Sequence, residues 1–334
     1  QAMQSSQRTN RSPNPLFPMR GKFLALIFEN PLYLKLVNLL QQIKVGKAKV
    51  GLYDAVVIFI QKLSNDQLLS RANAVAFSFT MAIFPAIIFL FTLTPYIQNF
   101  FPDVTNDQII GFLENILPEN LYAAADSTIH DIINKQRGGL LSFGFILTLV
   151  LSTNGMSSLM SAFNASYKTV ETRGFFKMRF IATVLIFILA LSVLISVGLL
   201  VVGQQLLTDN SIREVIQENI SIDIIIVLRF IVLYVIFQIA ISSIYYLAPA
   251  VHERWHFMSV GSVFSTFAII VAFFGFSYYV NNFGTYNRLY GSIGALLVLM
   301  LLLFIISLIL LVGFEMNAAF DKAKTKKLEE EAFN

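Results

Sequence analysis

Long apolar stretches separated by polar connections dominate the pattern along this chain. A helix rises about 1.5 Å per residue, so roughly 20 apolar residues cross the hydrocarbon core of a membrane, which is about 30 Å thick. Six stretches are long enough, and they cover residues 72–97, 140–163, 180–202, 222–247, 257–280 and 289–314. The pattern therefore predicts an all-α, polytopic integral membrane protein with about six transmembrane helices.

Lysine and arginine in the connecting segments predict the orientation of these helices. Roughly nineteen of them precede the first span, lie in the second and fourth connections, or follow the sixth span, whereas about four lie on the opposite side. Cytoplasmic loops carry an excess of basic residues. We therefore expect both termini in the cytoplasm.

The composition agrees with this class of protein. Hydrophobic residues make up 56% of the chain and charged residues only 13%, whereas soluble domains carry about 25% charged residues. Cysteine is absent, which excludes disulfides, thiolate catalysis and cysteine metal sites. The basic charge gathers on the predicted cytoplasmic side, so we expect anionic lipid headgroups there as partners and no nucleic acid.

The segments outside the spans differ in character. Residues 1–20 are predicted to form a disordered tail. Residues 21–70 contain two apolar runs with lysines, 31–45 and 52–63, which predict amphipathic helices that lie on the cytoplasmic leaflet, pack on the inner ends of the spans, or both. Residues 71–320 form the predicted transmembrane domain, with a helical outer loop at 98–138 and a charged cytoplasmic tail at 321–334.

Polar side chains within a span are informative because each must find a partner or face water. The second span carries four of them, spaced three or four residues apart on one helix face, and the first span has a weaker polar face. We expect the row on the second span to face the bundle interior. It either joins helices through hydrogen bonds or lines a substrate pathway, for which the candidates are Asn73, Thr80, Asn154, Ser157, Ser158 and Ser161.

Arg229 is the basic residue well inside a span and is a further pathway candidate. It lies about seven residues, or roughly 10 Å, from the outer end of its helix. It either extends to the interface or pairs with Asp223, or it binds an anionic group.

Glu315 follows a long apolar run and lies near the predicted inner boundary of the last span. Arg71 and Arg179 lie at a similar depth, so we expect a structural ion pair between Glu315 and one of them; coupling to protons or ions is the alternative. Pro85 lies in the middle of the first span and predicts a helix kink.

The sequence offers no catalytic constellation. It contains no nucleophile elbow, P-loop or dinucleotide fingerprint, and no acidic cluster typical of a metal site. We therefore expect no enzyme activity, no cofactor and no metal.

Several segments together resemble the YihY/virulence factor BrkB family, inner-membrane proteins formerly labelled ribonuclease BN. The C-terminal signature is the most specific: residues 289–295 read LYGSIGA, and after a Leu-rich run residues 311–318 read LVGFEMNA. Three further segments resemble the family: 71–85 (RANAVAFSFTMAIFP), 161–167 (SAFNASY) with Arg173, and 245–249 (YYLAP). The resemblance covers roughly residues 52–320 and implies a six-helix protein of the bacterial inner membrane.

The function expected from these features is that of a transporter-like protein for an amphiphilic envelope molecule, such as a lipid or glycolipid. This function is favoured by a polar row in an apolar bundle, by a buried arginine, and by the helical outer loop at 98–138, which is expected to cover the outer ends of the spans. The alternative is a membrane scaffold or regulatory subunit with the basic inner segments as docking surfaces. A ribonuclease is not favoured, because no residues are in place to activate water. Whether the chain forms a homo-oligomer is left open.

Overall fold

Six long helices account for most of the structure. The computed structural model describes residues 44–45, 50–51, 56–60, 67–97, 110, 136–167, 169–208, 222–250, 256–282 and 284–332. The helices are α1 (Leu68–Ile97), α2 (Gly138–Tyr167), α3 (Phe175–Thr208), α4 (Ile222–Leu247), α5 (Val260–Asn282) and α6 (Gly284–Ala332). Each contains a stretch long and apolar enough to cross a membrane. The prediction of six spans is confirmed.

Helix ends follow local sequence signals. Ser259 caps the start of α5, because its Oγ accepts the Ser262 N–H at 3.2 Å and the Ser262 Oγ accepts the Ser259 N–H at 3.0 Å. Pro249 follows the end of α4 and cannot continue that helix. α6 runs through most of the predicted charged tail, since residues 321–332 are rich in Lys, Glu, Ala and Leu, which favour helix.

The residues described fall into two compact units, Asp66–Ala318 and a second unit of 1–65 with 319–334. In the second unit, Lys44–Val45 (β1) pairs antiparallel with Val50–Gly51 (β2). The helix predicted over 31–45 therefore does not include its last two residues, and the rest of it lies outside the described residues. Residues 56–60 are helical within the predicted run 52–63, and Ile58 packs with Phe320 against Ala323.

The core of the membrane unit is mainly aliphatic and contains an aromatic cluster toward the helix ends that are predicted to be cytoplasmic. Phe163 of α2 stacks on Phe314 of α6, with ring centroids 4.2 Å apart and an interplanar angle of 5°. Tyr245 of α4 meets the Phe163 ring edge-on at 5.6 Å. All three residues lie in the halves of their helices that are predicted to be cytoplasmic, so these three spans meet there.

Close contact between α1 and α2 depends on glycine. A Cβ on Gly155 of α2 would lie 2.8 Å from the Phe79 ring of α1, and one on Gly144 would lie 3.4 Å from the Phe89 backbone. Small residues allow membrane helices to approach closely. Pro85 lies inside α1, where its missing N–H leaves the Met81 carbonyl without its usual helical donor. The kink at Pro85 stays a prediction.

Candidate functional site

The polar row on α2 is partly exposed in the structure. Asn154 and Ser161 are exposed, and Ser157 and Ser158 between them are half-buried. None of the four is fully buried, and the expectation that the row faces the bundle interior stays a prediction. The neighbouring face of α2 is buried instead. It carries Gly155, which allows α1 to approach, and large apolar side chains that belong to the core. The buried residues on this face are Thr153, Gly155, Met156, Leu159, Met160 and Phe163.

The weaker polar face of α1 is divided in the same way. Asn73 is exposed, whereas Thr80 is buried. The hydroxyl of Thr80 donates to the Ala76 carbonyl oxygen one turn earlier, at 2.8 Å. Thr80 is thus satisfied within its own helix, and so is Ser157 of the α2 row, whose hydroxyl donates to the Thr153 carbonyl oxygen at 2.8 Å. Among the described residues, the exposed candidates are Asn73, Asn154 and Ser161.

Arg179 of α3 is joined to the polar row at Asn154. Its Nη1 donates to the Asn154 Oδ1 at 2.6 Å and to the Thr153 Oγ1 at 3.0 Å. Its guanidinium carbon lies 5.5 Å from the centroid of the Phe175 ring, within cation–π range. The Thr153 hydroxyl donates to the Leu149 carbonyl oxygen at 2.7 Å, so it accepts from Arg179 while giving its own proton to α2.

The predicted ion pair of Glu315 is not found with either arginine. Arg71 donates to the Ser166 Oγ at 3.1 Å, and the hydrogen bonds of Arg179 also go to α2, as described above. Both arginines reach polar groups on α2, and neither donates to Glu315 in the described part of the chain. Glu315 itself is completely buried.

Arg229 lies half-buried on α4, seven residues after the first residue of the helix. Asn154 lies 16 residues after the first residue of α2. If both helices start at the outer surface, Asn154 lies nine residues deeper than Arg229. That difference corresponds to roughly 13 Å along the membrane normal. The side chain of Asp223, the proposed partner of Arg229, is outside the described part of the structure.

Glycines bring α5 and α6 into direct backbone contact. A Cβ on Gly261 would overlap the Gly313 carbonyl oxygen, and one on Gly313 would overlap the Ser265 hydroxyl. Asn317, one turn after Gly313, accepts the Gly261 N–H at 2.7 Å and donates to the Ser259 Oγ at 2.7 Å. The signature segment 311–318 thus supplies a glycine for the contact and an asparagine that holds the start of α5.

Tyr245 connects α4 to the same contact. Its hydroxyl donates to the Leu310 carbonyl oxygen at 2.7 Å and shares a hydrogen bond with the Ser265 Oγ at 2.6 Å. Gln238, also on α4 and buried, donates to the Ser242 and Ser262 hydroxyls at 3.0 and 2.9 Å. These polar groups stabilise helix packing, as serine and glutamine do between membrane helices.

An ion pair organises the connection between α2 and α3. Arg173 donates through Nε and Nη2 to the two carboxylate oxygens of Glu171, each at 2.7 Å, and the Asn164 Nδ2 adds a bond of 2.8 Å. The hydrogen bond from Arg173 lowers the pKa of Glu171 below its ordinary value, with a smaller effect of Asn164 in the same direction. Glu171 is therefore ionised at neutral pH.

The same ion pair is attached to the end of α4. Arg173 donates to the carbonyl oxygens of Leu247 and Ala248 at 3.2 and 2.8 Å, and the Asn164 Oδ1 accepts the Ala250 N–H at 2.8 Å. Helix C-termini leave carbonyls without intrahelical donors, and Arg173 satisfies two of them. The arrangement fixes two connections to each other, which makes it structural.

Several of these residues were not identified as functional from the sequence. The most informative missed signal is Gly261 with Ser265 on α5, four residues apart and hence on one helix face. Glu171 was missed because a Glu-x-Arg pair in a loop is too short to distinguish from any exposed pair. Its role depends on the end of α4, whose carbonyl oxygens its partner Arg173 reaches 74 and 75 residues later in the chain.

Six apolar helices joined by an apolar core and by polar contacts define a polytopic helical membrane protein. The family model for Virulence factor BrkB matches residues 59–333. The chain belongs to the BrkB family, as its sequence segments predicted.

The relatives named in this family are membrane proteins and a ribonuclease-like protein. The chain is 30% identical over 257 residues to the ribonuclease-like protein YfkH of Bacillus subtilis, covering 76% of this chain and 90% of YfkH. It is 23% identical to the UPF0761 membrane protein RSc1559 of Ralstonia nicotianae over 82% of this chain and 60% of that protein. A UPF0761 membrane protein of Psychromonas ingrahamii is 22% identical over 84% of this chain and 92% of that protein. No solved structure matches this chain significantly.

Proposed function

We propose that this membrane protein moves an amphiphilic envelope molecule, a lipid or glycolipid, across the bacterial inner membrane. The observation that carries the proposal is the partly exposed polar row on α2, with Arg179 joined to it. α2 is the least apolar of the six candidate spans. Polar groups on the outside of a membrane helix are costly unless they meet water, another chain or a polar ligand.

The row is suited to an amphiphile because it is partly exposed. A headgroup that follows the row can keep its acyl chains in the surrounding hydrocarbon, so no cavity large enough for a whole lipid is required. Moving an unpaired polar group into an apolar medium costs about 2–7 kcal/mol. Amide and hydroxyl groups along α2 would offset part of that cost at each step.

Arg229 extends the proposed path toward the outer half of the membrane. With the predicted orientation of the helices, it would lie roughly 13 Å further out than Asn154 by helical rise. A guanidinium there would give an anionic headgroup a second position before release, since arginine binds phosphate or carboxylate through paired hydrogen bonds.

A scaffold or regulatory subunit is the second candidate function. The stacked rings of Phe163 and Phe314 and the glycine contact of α5 with α6 show close packing at one end of the bundle, which a scaffold also requires. Neither proposal assigns a catalytic role to any residue, although YfkH carries a ribonuclease-like name.

Reconstituted vesicles separate the two functions. Lipid movement is measured with a fluorescent phospholipid and an impermeant quencher for the wild type, Asn154→Leu and Ser158→Leu. Thr148→Val is the matched control, because Thr148 lies on α2 outside the row. Within the described part of the chain its hydroxyl bonds only to the Gly144 carbonyl oxygen, at 2.6 Å. We expect both row variants to move lipid more slowly than the wild type, and the control to move it at the wild-type rate.

Two results would contradict transport. The first is a wild-type protein that moves no lipid under any gradient. The second is a pair of row variants that lose thermal stability in detergent but keep normal movement per folded molecule, which would make the row a packing feature and favour the scaffold.

A further inference from the structure

We infer that Arg179 and Asn154 form a binding site for the phosphate of an anionic lipid in the cytoplasmic leaflet. This inference rests on the proposed function, because it names the class of headgroup that enters the polar row. Three observations support it: the two side chains have hydrogen-bond donors without an acceptor in the described part of the chain, Arg179 is held in place by α2 and Phe175, and Arg179 lies near the start of α3.

The pairing of the two side chains fixes which atoms remain available. Arginine only donates hydrogen bonds, so the side-chain oxygen of Asn154 must be the atom that faces it. Oδ1 is thus occupied, and the Asn154 amide presents its NH₂ group outward. The Nε and Nη2 groups of Arg179 and the Nδ2 group of Asn154 meet no acceptor among the residues that the structure describes.

This leftover set consists of donors only, next to a full positive charge. An anion with several acceptor oxygens matches such a set, and the Nε–Nη2 edge of a guanidinium fits two oxygens of one phosphate. A cation or a hydrogen-bond donor does not match it. The chemistry therefore selects a phosphate or carboxylate.

The guanidinium is also held in place before any ligand arrives. The Nη1 atom is bound by two acceptors on α2, and the Phe175 ring lies against the guanidinium. An arginine that is already ordered loses less conformational entropy when it binds a ligand. The rest of the site lies on α2, so that the Arg179–Asn154 pair spans two helices.

The depth of Arg179 indicates a lipid as the source of the phosphate. It lies four residues, or roughly 6 Å, into α3, whose first turn is predicted to be cytoplasmic. Phe175 and Phe176 at the start of α3 are 61% and 85% exposed, so apolar rings on the surface lie beside the guanidinium. A lipid phosphate lies at this level, within reach of a long side chain.

The test measures binding apart from movement. Purified full-length chain in dodecylmaltoside is titrated with phosphatidylglycerol, and bound lipid is counted by native mass spectrometry. We expect Arg179→Gln to weaken the tightest binding about tenfold or more, because charge-assisted hydrogen bonds are lost. Arg179→Lys should fall between, since it keeps the charge but not the planar fork. The matched control is Lys177→Gln, an exposed basic residue two positions away, which should change binding less than about twofold.

Further probes identify the source of the anion. Glycerol 3-phosphate carries the phosphate without acyl chains, and dioleoylglycerol carries the chains without the phosphate. We expect neither to compete with phosphatidylglycerol. Competition by glycerol 3-phosphate would make this a site for a soluble anion and overturn the assignment to lipid. Competition by dioleoylglycerol would show that the chains alone are recognised and overturn it as well.

Results with the same variants in vesicles distinguish this inference from the proposed function. Unchanged phosphatidylglycerol binding by Arg179→Gln refutes the site, whether or not lipid moves. Weakened binding with a wild type that moves no lipid supports the site and refutes transport. A melting temperature in detergent, taken for every variant, shows whether weakened binding reflects a folded protein, and Arg179→Lys supplies the second variant if Arg179→Gln unfolds.

Discussion

Replacing Gly313 by alanine should separate α5 from α6 and destabilise the membrane unit. The new Cβ would overlap the Ser265 hydroxyl and would lie 2.6 Å from the Tyr245 Oη and 2.8 Å from the Gly261 carbonyl oxygen. The two oxygen-bearing side chains are themselves hydrogen-bonded to each other, at 2.6 Å. The Gly261 oxygen is part of the backbone and cannot rotate away, so the helices themselves must shift.

The expected cost combines overpacking with weakened hydrogen bonds. Overpacking a close contact costs about 1–3 kcal/mol. Each interhelical hydrogen bond in a membrane contributes about 0.6 kcal/mol on average, and Tyr245 and Ser265 make three such bonds around this point. We expect Gly313→Ala to lower the free energy of unfolding by about 2–4 kcal/mol, since not all of these bonds are lost together.

The measurement is unfolding by titration of sodium dodecyl sulfate into mixed micelles, followed by circular dichroism. Gly275→Ala is the matched control, because a Cβ at that position of α5 would meet no other described part of the chain within 4 Å, apart from the adjacent backbone of its own helix. At position 275, alanine should raise the free energy of unfolding by about 0.5–1 kcal/mol because of its higher helix propensity. The double variant Gly313→Ala with Ser265→Ala should recover part of the loss. Equal stability of Gly313→Ala and Gly275→Ala would refute the reasoning.

Two further predictions concern orientation and pH. Since the chain has no cysteine, a single cysteine at Ser211 should react with an impermeant thiol reagent applied outside cells, whereas one at Thr172 should not; the opposite pattern would reverse the predicted topology. The lowered pKa of Glu171 means that its ionised form is stabilised in the folded protein, so its contribution is present at neutral pH and is lost as pH falls through the lowered pKa. The stability of the wild type should therefore decline more than that of Glu171→Gln between about pH 5 and pH 3. The measurement is the same unfolding titration, repeated over this pH range. If the stabilities of the two proteins fall in parallel, the ion pair with Arg173 does not stabilise the fold.

The helices themselves were predictable because each apolar run alone exceeds the length that a membrane requires. The start of α5 at Val260 instead of 257 reflects the cap at Ser259, a local preference that hydropathy does not measure. The extension of α6 to Ala332 similarly follows from helix propensity beyond the membrane. The family, too, could be recognised in the sequence, since its signature residues lie in order along the chain.

The candidate site was predicted only in part. Spacing alone put Asn154, Ser157, Ser158 and Ser161 on one helix face, because helical periodicity is a local property. Which way that face points depends on Gly155, whose small size turns the adjacent face toward Phe79 of α1. Rotation of a helix about its axis is decided by all of its neighbours together, and no single segment of sequence contains that information.

Partners of charged groups were likewise decided by the tertiary structure. Depth along the membrane suggested Glu315 for Arg179, but depth fixes only one of three coordinates. The packing of α3 on α2 brought Arg179 to Asn154 instead, and the connection after α2 placed Arg173 against the end of α4. The sequence by itself determined that this protein spans the membrane and how often. Only the tertiary structure decided which polar groups are used up in packing and which remain available to a ligand, because those contacts join residues that are far apart in the chain.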